Sequence, residues 1–362
     1  MEIKIEFINF KHLFFPFDKS IILIRFFIFF FMQEELITIA TKKVNEYLYH
    51  IDVHAYGTPR MLSIFIGEFD DCSVLIDCGS SLDIKRLVRY LKKLGIELSS
   101  IKFLITTHHH FDHVGGAWQL YDLIKEFNPD IKILTNSTTK ELLNNFEQHL
   151  ARGKRTYGNL TGTMKPIPDQ AFKIITPSEN FDTIFSNDDL IDSFYSNGQE
   201  IRLKILHTPG HTPDHQSPIF TRNNVIDFIH FGESVGTIYH ASKLITMPTS
   251  MPIYYNHQQY MGTLKKLKKI RPLRAGYGHF GLINGEKSVR DILLEHEEFM
   301  NFYRKKIIEF YNEQPSTSYV LEKIRPFFTP RTDLKTEDSP IFEGIALAIV
   351  YGMLMDLGYR NE

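Results

Sequence analysis

The chain has 362 residues, with 41 Lys and Arg against 43 Asp and Glu and a formal net charge of −2. Hydrophobic residues make up 43% and charged residues 23%, which excludes wholesale disorder, collagen and coiled coil, while the balanced charge argues against a strongly basic nucleic-acid binder. Two cysteines, Cys72 and Cys78, cannot build a disulfide scaffold and read as free thiols of a reducing compartment.

In chain order, the first feature is an anomaly. Residues 1–31 hold 10 of the 30 Phe. Ile21–Met32 is apolar except for Arg25, yet it falls short of the roughly 20 residues that a transmembrane helix needs. Three readings stay open for 1–31: a translated leader before a true start at Met32, a membrane or signal-like segment, or an added structural element. Residues 45–80 then read as consecutive short strands separated by Gly, Pro and Asp turns. Ser81–Leu94 has helical spacing, with Ser81 as its N-cap and Gly95 as its stop. Ile101–Thr107 reads as a buried strand, Val114–Phe127 as a helix ended by Asn128-Pro129, and Ile131–Thr135 as a strand. This alternation predicts an α/β layered architecture.

Residues 137–197 break the pattern. A helix over Thr138–Leu150 leads to a basic loop, Arg152-Gly153-Lys154-Arg155, and later to the acidic Asn187-Asp188-Asp189. The segment reads as an insertion capping one face of the core. Strands return at Ile201–Leu206 and Val225–Phe231, and from Val289 onward the pattern is helical. The expected organisation is a 1–31 extension, a 32–285 catalytic domain with 137–197 inserted, and a 286–362 helical region.

The chemistry sits in LITTHHHFDHVGG. His108 and His110 leave a strand end on the same side and can converge on one point. Asp112 and His113 follow where the chain turns into a helix and can face a second point nearby. Imidazoles with a carboxylate and no thiolate suit zinc, and iron or manganese fit the same set. His109, between the two, should face the other way.

HHHFDH matches the H-x-H-x-D-H signature of the metallo-β-lactamase superfamily, and the chain resembles that family from about residue 45 to 282. LIDCG resembles its strand-ending Asp-x-Gly, with Asp77. HTPGHTPDH resembles the segment that supplies a third His, here His211, and AGYGHFG supplies His279. HFGES stands where the family usually has Gly-Asp; a subgroup with Gly-Glu and a following Pro-Thr-x-x-Pro-like element, here Pro248–Pro252, is similar to this stretch.

The resemblance implies a four-layer αββα sandwich with an inserted cap and a C-terminal tail that is small and helical or winged-helix-like. It implies two divalent metals: one held by His108, His110 and His211, the other by Asp112, His113 and His279, with the carboxylate of Glu233 between them. Asp77 is expected to orient a ligand histidine from behind, as is His207, four residues before His211; His215 is expected to orient the loop after His211. Asp112 is the expected catalytic carboxylate.

The implied reaction is hydrolysis by a metal-activated water. The substrate reading places a small thioester, ester or lactone first, with Arg152, Lys154, Arg155, Tyr157 and Tyr239 as weak candidates for contacting it. A lactamase-like phosphodiesterase or endoribonuclease is the alternative, for which Lys305, Lys306, Lys323 and Arg325 would meet nucleic acid. A non-hydrolytic di-iron redox role ranks last, because its members place a carboxylate where this chain has His110. The expected location is cytoplasmic without stable membrane association, and the sequence sets no oligomeric state.

Overall fold

The computed structural model describes residues 36–334 and 340–361; the readings made for residues 1–31 lie outside them. From Leu36 onward the chain forms one compact unit, so the C-terminal helices share a body with the catalytic core.

The strands, in chain order, are β1 (Ile37–Thr38), β2 (Lys42–Lys43), β3 (Leu48–Asp52), β4 (Ser63–Glu68), β5 (Ser73–Ile76), β6 (Ile101–Ile105), β7 (Lys132–Thr135), β8 (Phe172–Ile174), β9 (Asp192–Ser196), β10 (Gln199–His207), β11 (Gln216–Arg222), β12 (Val225–Gly232), β13 (Arg274–Tyr277) and β14 (Leu282–Asn284). They form two seven-stranded sheets, ordered β2-β3-β4-β5-β6-β7-β8 and β1-β14-β13-β12-β11-β10-β9. The first is antiparallel from β2 to β5 and parallel from β5 to β8. Parallel neighbours need crossovers. These are α1 (Ile84–Leu94), the one-turn α2 (Phe111–Val114) with α3 (Ala117–Lys125), and the pair α4 (Ser137–Asn144) and α5 (Glu147–Tyr157).

The period-2 pattern of the strands explains the layering. Phe65, Val74, Ile76, Phe103 and Ile105 of one sheet meet Leu203, Ile205, Phe220 and Phe228 of the other in a shared core. The opposite face of the first sheet, with Ile64, Ile66, Leu75 and Leu104, is covered by Leu87 and Leu91 of α1 and Leu120 and Ile124 of α3. The second sheet turns Leu206, Ile229 and Phe231 towards α6 (His257–Leu267) and the start of α7 (Glu286–Glu313). Helix, sheet, sheet and helix layers follow from which face of each strand is apolar.

Several expectations are corrected here. The 137–197 segment is not all cap, because β8 and β9 are edge strands, one in each sheet. The basic tetrapeptide Arg152–Arg155 is helical and lies within α5. Ser81 does not cap α1: Asp83 occupies that position, and the Ser81 hydroxyl instead accepts the backbone N–H of Thr163 at 2.8 Å. The C-terminal region takes the helical of the two expected forms: the described residues there form the helices α7, α8 (Thr317–Phe328) and α9 (Pro340–Asp356). Both Cys72 and Cys78 are free. No helix among the described residues is long and apolar enough to cross a membrane.

Candidate metal centre

The strand ends deliver the site. Asp77 follows β5, Thr107 to His110 follow β6, His211 lies in the turn between β10 and β11, Glu233 follows β12, and His279 lies between β13 and β14. Gly232 makes the approach of Glu233 feasible. Its φ is +55°, and a Cβ there would lie 2.6 Å from His215 Nε2.

Ligand-type atoms gather in three groups. His108, His110, His211 and Glu233 form one and Asp112, His113 and His279 another, around Glu233, while His109, His110 and His149 form a third beside them. Glu233 Oε2 lies 2.9 Å from His211 Nε2, 3.3 Å from His108 Nε2, 3.4 Å from His113 Nε2 and 3.9 Å from His110 Nδ1. One carboxylate oxygen therefore faces histidines of the first two groups. His279 Nε2 stands 3.2 Å from Asp112 Oδ2 and 3.2 Å from His113 Nε2.

The outer nitrogens explain which way the rings present themselves. His211 Nδ1–H donates to the Thr249 carbonyl at 2.7 Å, and His279 Nδ1–H donates to the Met61 carbonyl. His113 Nδ1–H donates to Asp77 Oδ2 at 3.1 Å. The Thr107 hydroxyl donates to Asp77 Oδ2 at 2.7 Å, so at 3.0 Å it accepts from His108 Nδ1–H. With their Nδ1 protons engaged outward, His108, His113, His211 and His279 in the neutral form each present a bare Nε2 lone pair inward, whereas His110 turns Nδ1 to the centre. Two such lone pairs, on His113 and His279, face each other, and the buried His108 Nε2 has no hydrogen-bond partner among the described residues. Lone pairs pointed at one another and at carboxylates are stabilised by a cation between them, so these residues fit a pair of divalent metals.

The electrostatics show what stands in when no cation is bound. Burial alone would raise the carboxyl pKa values, but the facing histidines hold Glu233 well below the ordinary range. In return, and against burial, the carboxylates raise His113 and His279, whose protons then take the place of a cation. Asp112 is likewise held low by His113 and His279. Bonds from His113 and His230 bring Asp77 to about 2. Burial pushes His108 well down and His110 to about 4, so both stay neutral donors of lone pairs at neutral pH.

Asp77 stands behind His113; the Thr107 backbone N–H also donates to its Oδ1 at 2.8 Å. His215 Nε2 accepts the Glu233 backbone N–H at 3.1 Å. His207 does not join them. Its ring is turned to the surface, where it bonds the Glu179 carboxylate and the Pro213 carbonyl. Asp227, which precedes its strand end, accepts from Tyr47 at 2.6 Å and belongs to the core between the sheets.

A cavity of about 650 Å³ opens on the centre. Its polar wall is α5, contributing His149, Arg152, Arg155 and Tyr157, and its apolar wall includes Met251, Ile253 and, from α9, Ala348 and Met355. Tyr239 borders the small adjoining space beside Asp112 and Glu233. Lys154 falls on the solvent side of α5 and is exposed. Gly352 lets α9 sit close: a Cβ there would lie 2.0 Å from the Ser250 carbonyl oxygen.

Sequence reasoning missed Tyr56, whose hydroxyl donates to Asp112 Oδ2 at 3.0 Å. It also missed His149, stacked 5.3 Å from the His110 ring with planes 2° apart. Asp214 is a third omission: it lies in the same turn, three residues after His211, and bonds His109 Nδ1 at 2.9 Å. The signal for Asp214 lay within HTPDH; none was available for Tyr56.

The profile of the metallo-beta-lactamase superfamily matches residues 60–279. The metallo-beta-lactamase fold-containing protein ST1585 of Sulfurisphaera tokodaii is 24% identical over 254 residues, covering 67% of this chain and 83% of that protein. The solved ST1585 structure superposes with a TM-score of 0.57 at 19% identity, covering 85% of this chain and 98% of that one. An N-acyl homoserine lactonase of Bacillus sp is 25% identical over 154 residues, 42% of this chain and 45% of that protein. A cytoplasmic hydroxyacylglutathione hydrolase of Arabidopsis thaliana is 29% identical over 119 residues, 33% of this chain and 29% of that protein.

Proposed function

The chain belongs to the metallo-beta-lactamase superfamily and is a hydrolase of that fold, and from that premise we propose that it cleaves a small ester, thioester or lactone at a dinuclear metal centre. The observation that carries the reading is Glu233 Oε2, which lies between the inward nitrogens of His211, His108 and His113 at 2.9 to 3.4 Å. His108, His110 and His211 would hold one cation, Asp112, His113 and His279 the other, and Glu233 would reach both. Bound there, the pair supplies Lewis-acid polarisation of an acyl oxygen and makes a water acidic enough to be hydroxide near neutral pH. The donor set of imidazoles and carboxylates suits zinc and also accommodates iron or manganese.

The chain's own groups do the rest. Asp112 stays ionised beside His113 and His279 and is the base at the cavity floor for the proton the attacking water releases. The cavity of about 650 Å³ matches a small organic molecule. Arg152 and Arg155 on one wall and Met251, Ile253 and Met355 on the other suit an acyl compound with an anionic end and an apolar end. The tail's cations are partly engaged elsewhere: Arg325 pairs with Glu343 at 2.6 Å and Lys306 with Glu309 at 2.9 Å, which favours a small molecule over nucleic acid.

The test is a panel of thioesters, lactones and phosphodiesters on metal-quantified protein. Turnover of an acyl substrate, abolished by chelation and restored by zinc, is the expected result. Turnover of phosphodiesters with none of acyl compounds would overturn it.

A further inference from the structure

His149 is the one histidine on the cavity wall that belongs to neither of the two groups around Glu233; it projects from the first turn of α5. Its Nε2 accepts the backbone N–H of Phe111 at 3.2 Å. A backbone N–H can only donate, so this nitrogen carries no proton and the single proton of the neutral ring sits on Nδ1. The same geometry disfavours two other roles. A protonated ring would put N–H against N–H at Phe111, and a metal on Nδ1 would require the proton to move to the nitrogen already facing Phe111. His149 is half-buried and its ring lines the cavity; with Nε2 turned to Phe111, Nδ1 is the ring's remaining polar atom.

We propose that His149 is a substrate-facing hydrogen-bond donor, presenting Nδ1–H to an acceptor oxygen on the acyl chain beside the scissile carbonyl. The inference rests on the acyl-hydrolase reading above. Position supports it: the His149 ring stacks on the His110 ring with centroids 5.3 Å apart, so its donor would serve an oxygen close to a carbonyl held at the centre. Arg152 follows one turn along the same helix wall. The class of substrate selected is an acyl group with an ether, keto or amide oxygen near its carbonyl, in preference to an unbroken alkyl chain.

The test uses the N-acetylcysteamine thioesters of methoxyacetate and butanoate, which differ by one oxygen in place of a methylene. Two variants separate donor from scaffold. In His149→Asn the amide nitrogen takes the place of Nδ1 and the acceptor for Phe111 is lost; in His149→Gln the acceptor is kept and the Nδ1 donor is lost. The expected result is that Gln lowers the methoxyacetyl-to-butanoyl ratio of kcat/KM by about five- to tenfold, the worth of one hydrogen bond, while Asn keeps it. Intrinsic reactivity cancels in the variant-to-wild-type ratio. An unchanged ratio in Gln, or a loss in Asn alone, overturns the proposal. Kd values of the matching N-propyl amides, measured by NMR titration on metal-loaded protein, read the same discrimination without turnover, so a failure of hydrolysis is distinguished from a failure of His149.

Discussion

The Tyr56 hydroxyl and the Asp112 carboxylate meet at 3.0 Å, on the oxygen that also stands 3.2 Å from His279 Nε2. Tyr56 reaches that point from a backbone few tyrosines adopt, with φ of 57° between His54 at 50° and Arg60 at 61°. The loop is clamped. Arg86 of α1 donates to the Val53 and His54 carbonyls at 2.5 Å each, and Asp52 accepts the N–H groups of His54 and Arg60 at 2.9 Å each. A left-handed residue held by its surroundings at a site is a mark of positioning. Tyr56→Phe is expected to weaken the metal bound by Asp112, His113 and His279 about tenfold, read by chelator competition, with the other metal unaffected. Equal loss of both metals would point to a folding defect instead.

Loss of ligands at the first point is expected to be more severe. A His108→Ala, His110→Ala double variant should lose the metal of that group, measured by elemental analysis, and with it hydrolysis. A fully active double variant would end the dinuclear reading.

Asp77→Asn keeps the shape of the group that His113 and Thr107 bond but removes its charge. An amide cannot stabilise the Nδ1–H of His113 as a carboxylate does. Metal affinity at the second point should fall by about ten- to a hundredfold, while secondary structure measured by circular dichroism stays the same.

His296 offers a pH test away from the metals. It is fully buried, with Thr246 Oγ1 at 2.7 Å from one ring nitrogen and Tyr260 at 2.8 Å from the other, and burial lowers its pKa to about 3. Unfolded, the ring titrates near 6.5. The unfolded chain therefore binds the extra proton first, so the contribution is whole above about pH 6.5 and is lost as pH falls towards 3. Between pH 7 and 5 it amounts to on the order of 2 kcal/mol. Denaturant titrations of metal-free protein should show a smaller pH dependence in His296→Gln than in wild type; identical slopes would refute this.

What the sequence made legible was contiguous or periodic. HHHFDH brings its candidate ligands together through a strand end and the helical turn that follows it, and the apolar alternation of β4 to β6 announces two-faced strands. Tyr56 was invisible because its contact depends on three left-handed residues that no propensity scale anticipates. The helical form of Arg152–Arg155 was obscured because its Gly153 suggested a loop, whereas that stretch continues the helix that buries Leu150 at 9% exposure; His149 fell within the expected helix, but nothing in the sequence set it on the cavity side. The edge strands β8 and β9 are three and five residues long, too short for periodicity to register.

The wall that α9 contributes comes from residues 340–356, whereas every proposed ligand lies between His108 and His279. Along the chain, the part that holds metal and the α9 part of the cavity's apolar side are thus separate stretches, while Met251 and Ile253 of the same wall lie among the ligands. A ribosome completes the ligand set while the helix that narrows the choice of substrate is still unmade. Changes within α9 can retune which molecules enter without touching a single metal-facing atom.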